Sequence, residues 1–132
     1  MSPPLPDLSG LRNLALGRPA SQSSLSRWSR PDDARGAVSG RRTGGFGFHT
    51  AHEAAPWWRV DLQQALPVRY VVVWNREDAG QDRARHLRIE TSLDGETWEA
   101  AGETGDAGFG GVRSMTPFVA ACADRPARFV RL

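Results

Sequence analysis

Residues 56–62 read Pro-Trp-Trp-Arg-Val-Asp-Leu, and residues 68–75 read Val-Arg-Tyr-Val-Val-Val-Trp-Asn. The first segment alternates with a period of two, which is typical of a β-strand with one buried face. Its two faces carry Trp58, Val60 and Leu62 on one side and Trp57, Arg59 and Asp61 on the other. The second segment is apolar on both faces and rich in Val, Tyr and Trp, which favours a central strand over a helix. Together they predict the middle of a β-sheet.

Further short strands are predicted on both sides of this pair. Residues 85–92 alternate in the same way, and Asp94-Gly95 is a typical hairpin turn before a returning strand at 97–101. The other predicted elements are an irregular first strand at 13–24, one helical turn at 34–40, and strands at 112–122 and 127–132. This spacing predicts an all-β, mainly antiparallel sandwich over residues 13–132, after a flexible lead-in at 1–12.

Composition limits the classes of partner. The chain has 132 residues, 39% of them hydrophobic, which suits one domain with one core. All 17 basic residues are Arg, and they are dispersed among 15 acidic residues, so we expect no nucleic-acid binding. No apolar run approaches the length of a transmembrane helix, so we expect no membrane insertion.

The single cysteine and the N-terminus bear on redox state and location. Cys122 lies in an apolar run, which predicts a buried, unreactive thiol. The N-terminus shows no basic segment followed by an apolar one, so we see no signal peptide. We therefore expect a cytoplasmic protein, unless the sequence is an excerpt of a secreted one.

No catalytic motif stands out. His49 and His52 lie near Glu53, but their spacing differs from that of a metalloprotease helix, and Pro56 disfavours a helix there. Neither a nucleophile elbow nor a phosphate loop is present, and no pair of carboxylates is singled out for glycoside hydrolysis. We therefore expect a protein that is not an enzyme.

Four polar residues lie at the ends of predicted strands: His49, Arg76, Asp78 and Arg83. A guanidinium fork binds two neighbouring sugar oxygens, and a neutral imidazole both donates and accepts. A carboxylate beside the arginines would balance their charge and fix their geometry. We interpret these residues as a small-molecule site for a sugar. Structural alternatives remain open: Arg76 in a surface ion pair, and His49 bonded to backbone.

Aromatic residues divide into site and core candidates. Phe46 and Phe48 lie beside His49 and are candidates to pack on a C–H face of a sugar. Trp28, in a predicted loop, is the best candidate for an exposed aromatic contact. The core candidates are Trp57, Trp58, Trp74 and Trp98.

Several blocks of the sequence resemble the discoidin domain, also called the coagulation factor 5/8 type C domain. They are residues 13–20 (Asn-Leu-Ala-Leu-Gly-Arg-Pro-Ala), 56–62, Asn75-Arg76, 92–98 (Ser-Leu-Asp-Gly-Glu-Thr-Trp) and 128–132 (Arg-Phe-Val-Arg-Leu). The resemblance covers roughly residues 12–132. It implies a jelly-roll β-sandwich of about eight strands with its binding loops at one end. The family's final strand has no counterpart after Leu132, which predicts an unpaired sheet edge and dimerisation by strand addition.

Within this family, the chain resembles the F-type lectins, or fucolectins. Their signature is His, twenty-six residues, Arg, one residue, Asp, four residues, then Arg or Lys, and all four positions match here. The resemblance implies that His49, Arg76 and Arg83 contact L-fucose or a similar sugar and that Asp78 orients the basic residues. It also implies a calcium loop at residues 36–41, but Ser39 replaces the usual Asp, so we expect no metal and no cofactor.

The sequence therefore predicts non-catalytic carbohydrate binding with a glycan as the partner. The alternative is an accessory or protein-interaction domain of a larger carbohydrate-active enzyme, such as a glycosyltransferase. A homo-oligomer or a fused enzyme domain is the protein partner that these two hypotheses predict.

Overall fold

The structure is a computed structural model, which describes residues 8, 10–23, 33–39, 56–74, 87–104 and 117–132. The described elements are β1 (Ala20–Gln22), a 3₁₀ helix (Asp33–Val38), β2 (Trp58–Val73), β3 (Arg88–Ser92), β4 (Glu99–Glu103) and β5 (Phe118–Arg131). The five strands form one antiparallel sheet in the order β1-β2-β5-β3-β4. Among the described helices, none has the length and apolar character needed to cross a membrane.

Strand β5 lies in the middle of this sheet. Its C-terminal half pairs with β2 on one side, where Val60 faces Val130, and with β3 on the other, where Glu90 faces Arg131. The edges of the described sheet are therefore β1 and β4. Along this half, β5 is therefore paired on both sides by described strands, and dimerisation by strand addition stays a prediction. Homo-oligomer formation stays a prediction.

The two long strands bend where their pairing is interrupted. In β2 the register shifts between Asp61 and Leu66, and Gln63 has a φ of 69°. In β5, Ala123 and Asp124 have φ values of 52° and 60°. Non-glycine residues seldom adopt this left-handed backbone, and such sites in strands mark sharp local changes of direction. The predicted strand pairs 57–62 with 68–75 and 112–122 with 127–132 are thus continuous but bent strands.

The bends place the two halves of β5 in different layers. The C-terminal half hydrogen-bonds beside β3, whereas the N-terminal half packs face to face on β4. A Cβ at Gly102 of β4 would lie 3.1 Å from the Cβ of Ala120 and 3.4 Å from the ring of Phe118. The curled sheet therefore closes on itself, which confirms the predicted all-β, jelly-roll sandwich.

The core lies between these layers. Ile89 and Ala127 are fully buried, and Val60, Leu62 and Cys122 are each 2% exposed. Burial raises the pKa of the Cys122 thiol, although the nearby Arg125 opposes this, so the predicted buried thiol is confirmed. The other buried apolar residues are Ala34, Val38, Trp58, Val68, Ala120 and Val130.

The four tryptophans predicted in the core differ in burial. Trp58 is 6% exposed, and its indole N–H donates to the carbonyl of Ala34 at 2.8 Å, which fixes the 3₁₀ helix on the core. Trp57, Trp74 and Trp98 are only half-buried. Trp57 and Trp98 contact arginine side chains on the outer face of the sheet, so the core prediction holds for Trp58 alone.

The turn between β3 and β4 is held by two side chains. The hydroxyl of Ser92 accepts from the backbone N–H of Asp94 and Gly95, and the Asp94 carboxylate accepts from Glu96 and Thr97 at 2.8 Å. The hydrogen bonds to Asp94, with that from Thr97 largest, lower its pKa. Since they hold the backbone through Thr97, β4 begins at Glu99 rather than at the predicted residue 97.

The predicted first strand is shorter than expected. Residues 14–17 form a turn in which Gly17 has a φ of 68°, and strand pairing is confined to Ala20–Gln22. Asn13 begins this turn by accepting the backbone N–H of Ala15 at 3.2 Å. The predicted helical turn at 34–40 corresponds to the 3₁₀ helix Asp33–Val38. The flexible lead-in over residues 1–12 stays a prediction.

Asp61 holds the bend of β2. Its carboxylate accepts two hydrogen bonds from Arg128, at 2.9 and 3.1 Å, and one from the backbone N–H of Gln63 at 2.7 Å. The bond from Arg128 is the main reason why the pKa of Asp61 lies below its ordinary value of 3.8, while burial opposes the shift. Asp61 therefore makes a structural polar contact at the bend of β2.

Gly102→Val tests the close packing of β4 on β5. A valine side chain has no room against Ala120, so we expect the free energy of unfolding to fall by about 1–3 kcal/mol in spite of the entropic gain from replacing glycine. The control is Ala100→Val on the same strand, which is exposed and should change stability by less than about 0.5 kcal/mol. Urea titration measures both, and equal effects of the two substitutions would contradict the packing.

Asp61→Asn tests the bend of β2 through pH. Because the folded-state pKa of Asp61 is below 3.8, its ionised form stabilises the fold above that pH, and this contribution is lost as pH falls below it. We expect Asp61→Asn to lower the free energy of unfolding by about 1–2 kcal/mol at pH 7, with the gap to the parent narrowing below pH 3.8. Urea titrations at several pH values measure this gap.

Asp124→Asn is the matched control. Within the described ranges, Asp124 makes one ion pair, a 3.3 Å contact with Arg69, and both side chains are more than half exposed. Asparagine tolerates the left-handed φ of this position. We expect a change below about 0.5 kcal/mol at any pH. A gap for Asp61→Asn that stays constant with pH would show that the carboxylate charge is not what matters.

Candidate functional site

All the residues predicted to form the sugar site lie outside the described residues. They are His49, Arg76, Arg83, the orienting Asp78, and the aromatic candidates Phe46, Phe48 and Trp28. What the structure describes is the scaffold to which their segments attach. Its strand ends define where each of these segments leaves or enters the sandwich.

One end of the scaffold is marked by the start of β3 and the end of β4. The backbone N–H of Thr104 donates to the carbonyl of Leu87 at 2.8 Å, and the hydroxyl of the buried Thr104 accepts from the N–H of Leu87 at 2.8 Å. Residues 75–86 therefore end, and residues 105–116 begin, at this hydrogen-bonded pair.

The end of β2 lies at the same end of the sandwich. Val73, the last residue of β2, pairs with Phe118, the first residue of β5. The Phe118 ring lies 3.4 Å from the Cβ position of Gly102, which is two residues before Thr104. Because of this contact, Trp74 and Pro117 lie at the same end of the sandwich as Leu87.

The start of β2 lies there as well. The backbone groups of Trp58 and Leu132 exchange hydrogen bonds of 2.8 and 3.1 Å. Leu132 lies beside Ile89, because the preceding Arg131 pairs with Glu90. Ser23, at the end of β1, donates its N–H to the carbonyl of Trp57 at 2.9 Å and accepts the N–H of Trp57 at 3.0 Å.

The segments that carry the predicted site residues are therefore anchored at one end of the sandwich. Residues 75–86 and 105–116 start and finish there, residues 40–55 finish there, and residues 24–32 start there. Arg76 and Arg83 lie in residues 75–86. His49 lies in residues 40–55 together with Phe46 and Phe48, and Trp28 lies in residues 24–32. The family resemblance implies binding loops at one end of the sandwich, and the anchoring of these segments at one end is compatible with it.

Arginines on the described surface are mostly paired with acids. The ion pairs join Arg131 to Glu90, Arg128 to Asp61, Arg69 to Asp124, Arg88 to Glu103 and Arg125 to Glu99. The alternation of charges leaves no basic stripe of the kind that binds nucleic acid on this part of the surface.

The described part of the expected calcium loop contains little for a metal. Within the described ranges, no group of three His, Cys, Asp or Glu side chains is placed to hold a metal ion. Ser39, at the position where the family usually has Asp, donates its hydroxyl to the carbonyl of Gly36 at 3.1 Å. That hydrogen bond closes the end of the 3₁₀ helix. The absence of a calcium site stays a prediction.

A second feature was not anticipated from the sequence. On the outer face of the sheet, a depression of about 210 Å³ is lined by both polar and apolar residues: Pro19, Ala20, Ser21, Arg59, Asp61 and Phe129. The only sequence signal for it was that Arg59 and Asp61 alternate with the core residues of β2. The pairing of Asp61 with Phe129 and of Ser21 with Arg59 could not be read from that pattern.

Comparison with known proteins identifies the family. The family model for the NedA-like, galactose-binding domain of F5/F8 type C matches residues 36–132, well over half of the chain. Fucolectin-6 of Anguilla japonica is 33% identical over 91 residues, which cover 64% of this chain and 49% of that relative. The chain thus spans about half the length of Fucolectin-6.

Solved structures with the same fold include two carbohydrate-binding proteins. A fucose-binding module from Streptococcus pneumoniae has a TM-score of 0.75 at 25% identity, covering 93% of this chain and 84% of the module. The lectin domain of Lectinolysin, solved with Lewis B antigen, has a TM-score of 0.71 at 25% identity, covering 92% of this chain and 84% of that domain. The fold and the family match agree, and the chain belongs to the F5/F8 type C family, whose matching model is described as the NedA-like, galactose-binding domain.

Proposed function

We propose that this chain is a non-catalytic carbohydrate-binding domain whose ligand is L-fucose or a sugar with a similar arrangement of hydroxyls. In this proposal His49, Arg76 and Arg83 hydrogen-bond the sugar and Asp78 orients the arginines. Phe46, Phe48 and Trp28 are the aromatic candidates to pack on its C–H surface. The proposed site lies at the loop-bearing end of the sandwich, which we call the loop-end site.

The observation that carries this proposal is the anchoring of the relevant segments at one end of a rigid scaffold. Trp74, directly after β2, and Leu87, directly before β3, lie at that end, and they bracket the segment that holds both arginines. Pro56 brings the segment containing His49 to the same end. Binding residues carried on loops at one end of a rigid sandwich are a common arrangement for ligand recognition.

The chemistry of the proposed residues suits a sugar. Each guanidinium offers a planar fork that donates to two neighbouring hydroxyl oxygens, and a neutral imidazole donates from one nitrogen and accepts at the other. A carboxylate between two guanidinium groups reduces their mutual repulsion and restricts their rotamers, so less entropy is lost when the sugar binds.

The relatives support a sugar ligand. Fucolectin-6 is named for fucose, the Streptococcus pneumoniae module is described as fucose-binding, and the Lectinolysin domain was solved with Lewis B antigen. A single exposed site of this kind binds weakly, with a dissociation constant of about 1 µM to 1 mM, so avidity requires several copies.

Arg76→Ala tests the loop-end site. We expect it to abolish binding to fucose-terminated glycans on an array, because the variant lacks the fork that holds two hydroxyls, while its circular dichroism spectrum and thermal midpoint stay unchanged. The matched control is Arg69→Ala on β2, where the arginine is exposed and paired with Asp124. That variant should bind as the parent does.

Three other outcomes are informative. Loss of fold in Arg76→Ala would make Arg76 structural and overturn its role as a sugar ligand. Retained fucose binding by a folded Arg76→Ala would place the site elsewhere. A blank array with the parent protein would favour the accessory-domain hypothesis.

Chelation tests the proposal that no calcium is needed. Since Ser39 closes the 3₁₀ helix through Gly36 and supplies no carboxylate, we expect glycan binding to be the same with and without EDTA. Titration calorimetry of the parent protein with fucose in both buffers measures this directly. Binding that disappears in EDTA and returns on addition of calcium would contradict it.

A further inference from the structure

The depression lies on the outer face of the sheet, beside the loop end. It is formed where β1 pairs with β2 and where β2 pairs with β5, so its floor is sheet rather than loop. Along β2 the depression extends from Arg59, one residue from Trp58, to Asp61, three residues from it, which is about 3 Å to about 10 Å from the loop-bearing end. A ligand here would rest on strand residues, and none of the residues that line the depression is a predicted loop-end residue.

Arg59 is the donor that remains available in this depression. Its Nε donates to the hydroxyl of Ser21 at a long 3.4 Å, and its guanidinium lies 5.4 Å from the centre of the Trp57 ring and 5.9 Å from that of Phe129. Among the described residues, no acceptor engages its terminal nitrogens. By contrast, Arg128 and Arg131 are each held by two hydrogen bonds to a carboxylate.

Asp61 supplies the complementary acceptor. Its Oδ1 already accepts from Gln63 and Arg128, whereas from the described residues its Oδ2 accepts one hydrogen bond, from Arg128 at 3.1 Å. A carboxylate oxygen has two lone pairs, so Oδ2 retains one for a ligand hydroxyl. Asp61 is paired with Arg128, and Arg59 stands beside it, so the depression has no net negative charge to attract a cation. The remaining donor and acceptor suit the hydroxyls of a neutral ligand.

The walls provide apolar contact. Phe129 and Pro19 line the depression. A Cβ at Gly95 would lie 3.3 Å from the Phe129 ring, and the guanidinium of Arg128 lies 4.9 Å from the ring centre, so the ring is held between these neighbours. The volume of about 210 Å³ is below the range of about 300–1,000 Å³ that holds drug-sized ligands, so it suits a single small ring. An aromatic wall, a guanidinium donor and a carboxylate acceptor match the surface of one pyranose.

We propose that this depression is a second carbohydrate site, which takes one neutral pyranose ring. Arg59 donates to, and Asp61 Oδ2 accepts from, a pair of neighbouring hydroxyls, while Phe129 and Pro19 contact the C–H surface. A domain with this site and the loop-end site binds two sugar units at once, so it can hold a branched or folded glycan more tightly than either site alone.

The experiment separates the two sites by using Arg76→Ala, which silences the loop-end site. Uniformly ¹⁵N-labelled Arg76→Ala protein is titrated with the methyl glycosides of fucose, galactose and glucose, each to about 100 mM. The signals followed are the backbone amides of Ser21 and Phe129 and the Nε–H of Arg59. We expect saturable shifts of these signals with at least one glycoside.

Two further variants test the role of the depression. Adding Arg59→Ala is expected to weaken this binding at least about tenfold by removing the donor fork. Adding Ser21→Phe, on the exposed face of β1, should block the depression and abolish the shifts without touching the core. Arg69→Ala is the control and should leave the titration unchanged.

The results for the depression can be told apart from a failure of the proposed loop-end site. No saturable shift at the three signals with any of the glycosides overturns the proposal. So do shifts that persist undiminished in both the Arg59→Ala and the Ser21→Phe proteins. Loss of fucose binding in the parent protein concerns only the loop-end site and leaves these signals as an independent test.

Discussion

The pairing of β2 with β5 is the interaction on which the rest of the sandwich depends. Both strands are long, and each is interrupted at a different level of their pairing. The irregularity in β2 lies between Asp61 and Leu66, near Arg128 of β5, and that in β5 lies at Ala123 and Asp124, opposite Arg69 of β2. The pair turns as one ribbon from one layer into the other. The core closes because this turn brings Ala120 against Gly102 while Val130 stays beside Thr91.

The outer face of the sheet is organised by arginines in contact with aromatic rings. The guanidinium of Arg131 lies 4.0 Å from the centre of the Trp98 ring and is hydrogen-bonded to Glu90, while Arg128 lies 4.9 Å from the centre of the Phe129 ring. Such contacts let a planar cation cover apolar surface while keeping its hydrogen bonds. The absence of lysine from the sequence fits this use, since an ammonium group neither stacks nor forks in this way.

The sequence was most informative where side-chain periodicity reports burial. Alternation in residues 57–62 placed Val60 and Leu62 on one face, and both are buried in the core, because strand geometry fixes which side chains share a face. The sequence was less informative where the backbone leaves the regular strand conformation. Left-handed φ values occur at Gln63, Ala123 and Asp124, and these residue types do not predict them. Each bent strand was therefore predicted as two strands. The start of β4 was misplaced because Asp94 captures two backbone N–H groups beyond the turn dipeptide.

The two candidate sites differ in the same respect: the sequence predicts one of them and does not reveal the other. The loop-end residues could be predicted because their types and spacing carry information along the chain, and they stay a prediction because they lie outside the described residues. The outer-face depression was missed because Ser21, Arg59 and Phe129 are distant in sequence and meet only through strand register. Register depends on three-dimensional pairing, and a single sequence does not record it.

The central position of β5 has a consequence for how the chain matures on the ribosome. Strands β2 and β3 are both partners of β5 and are not paired with each other, and β5 is the last of the described strands to be synthesised. During translation, β1 and β2 can pair, and β3 and β4 can form their hairpin, but neither unit has a partner for its inner edge. The emerging chain therefore carries two unsatisfied strand edges until residues 118–131 leave the exit tunnel, and chaperones that bind extended apolar segments have that interval in which to act.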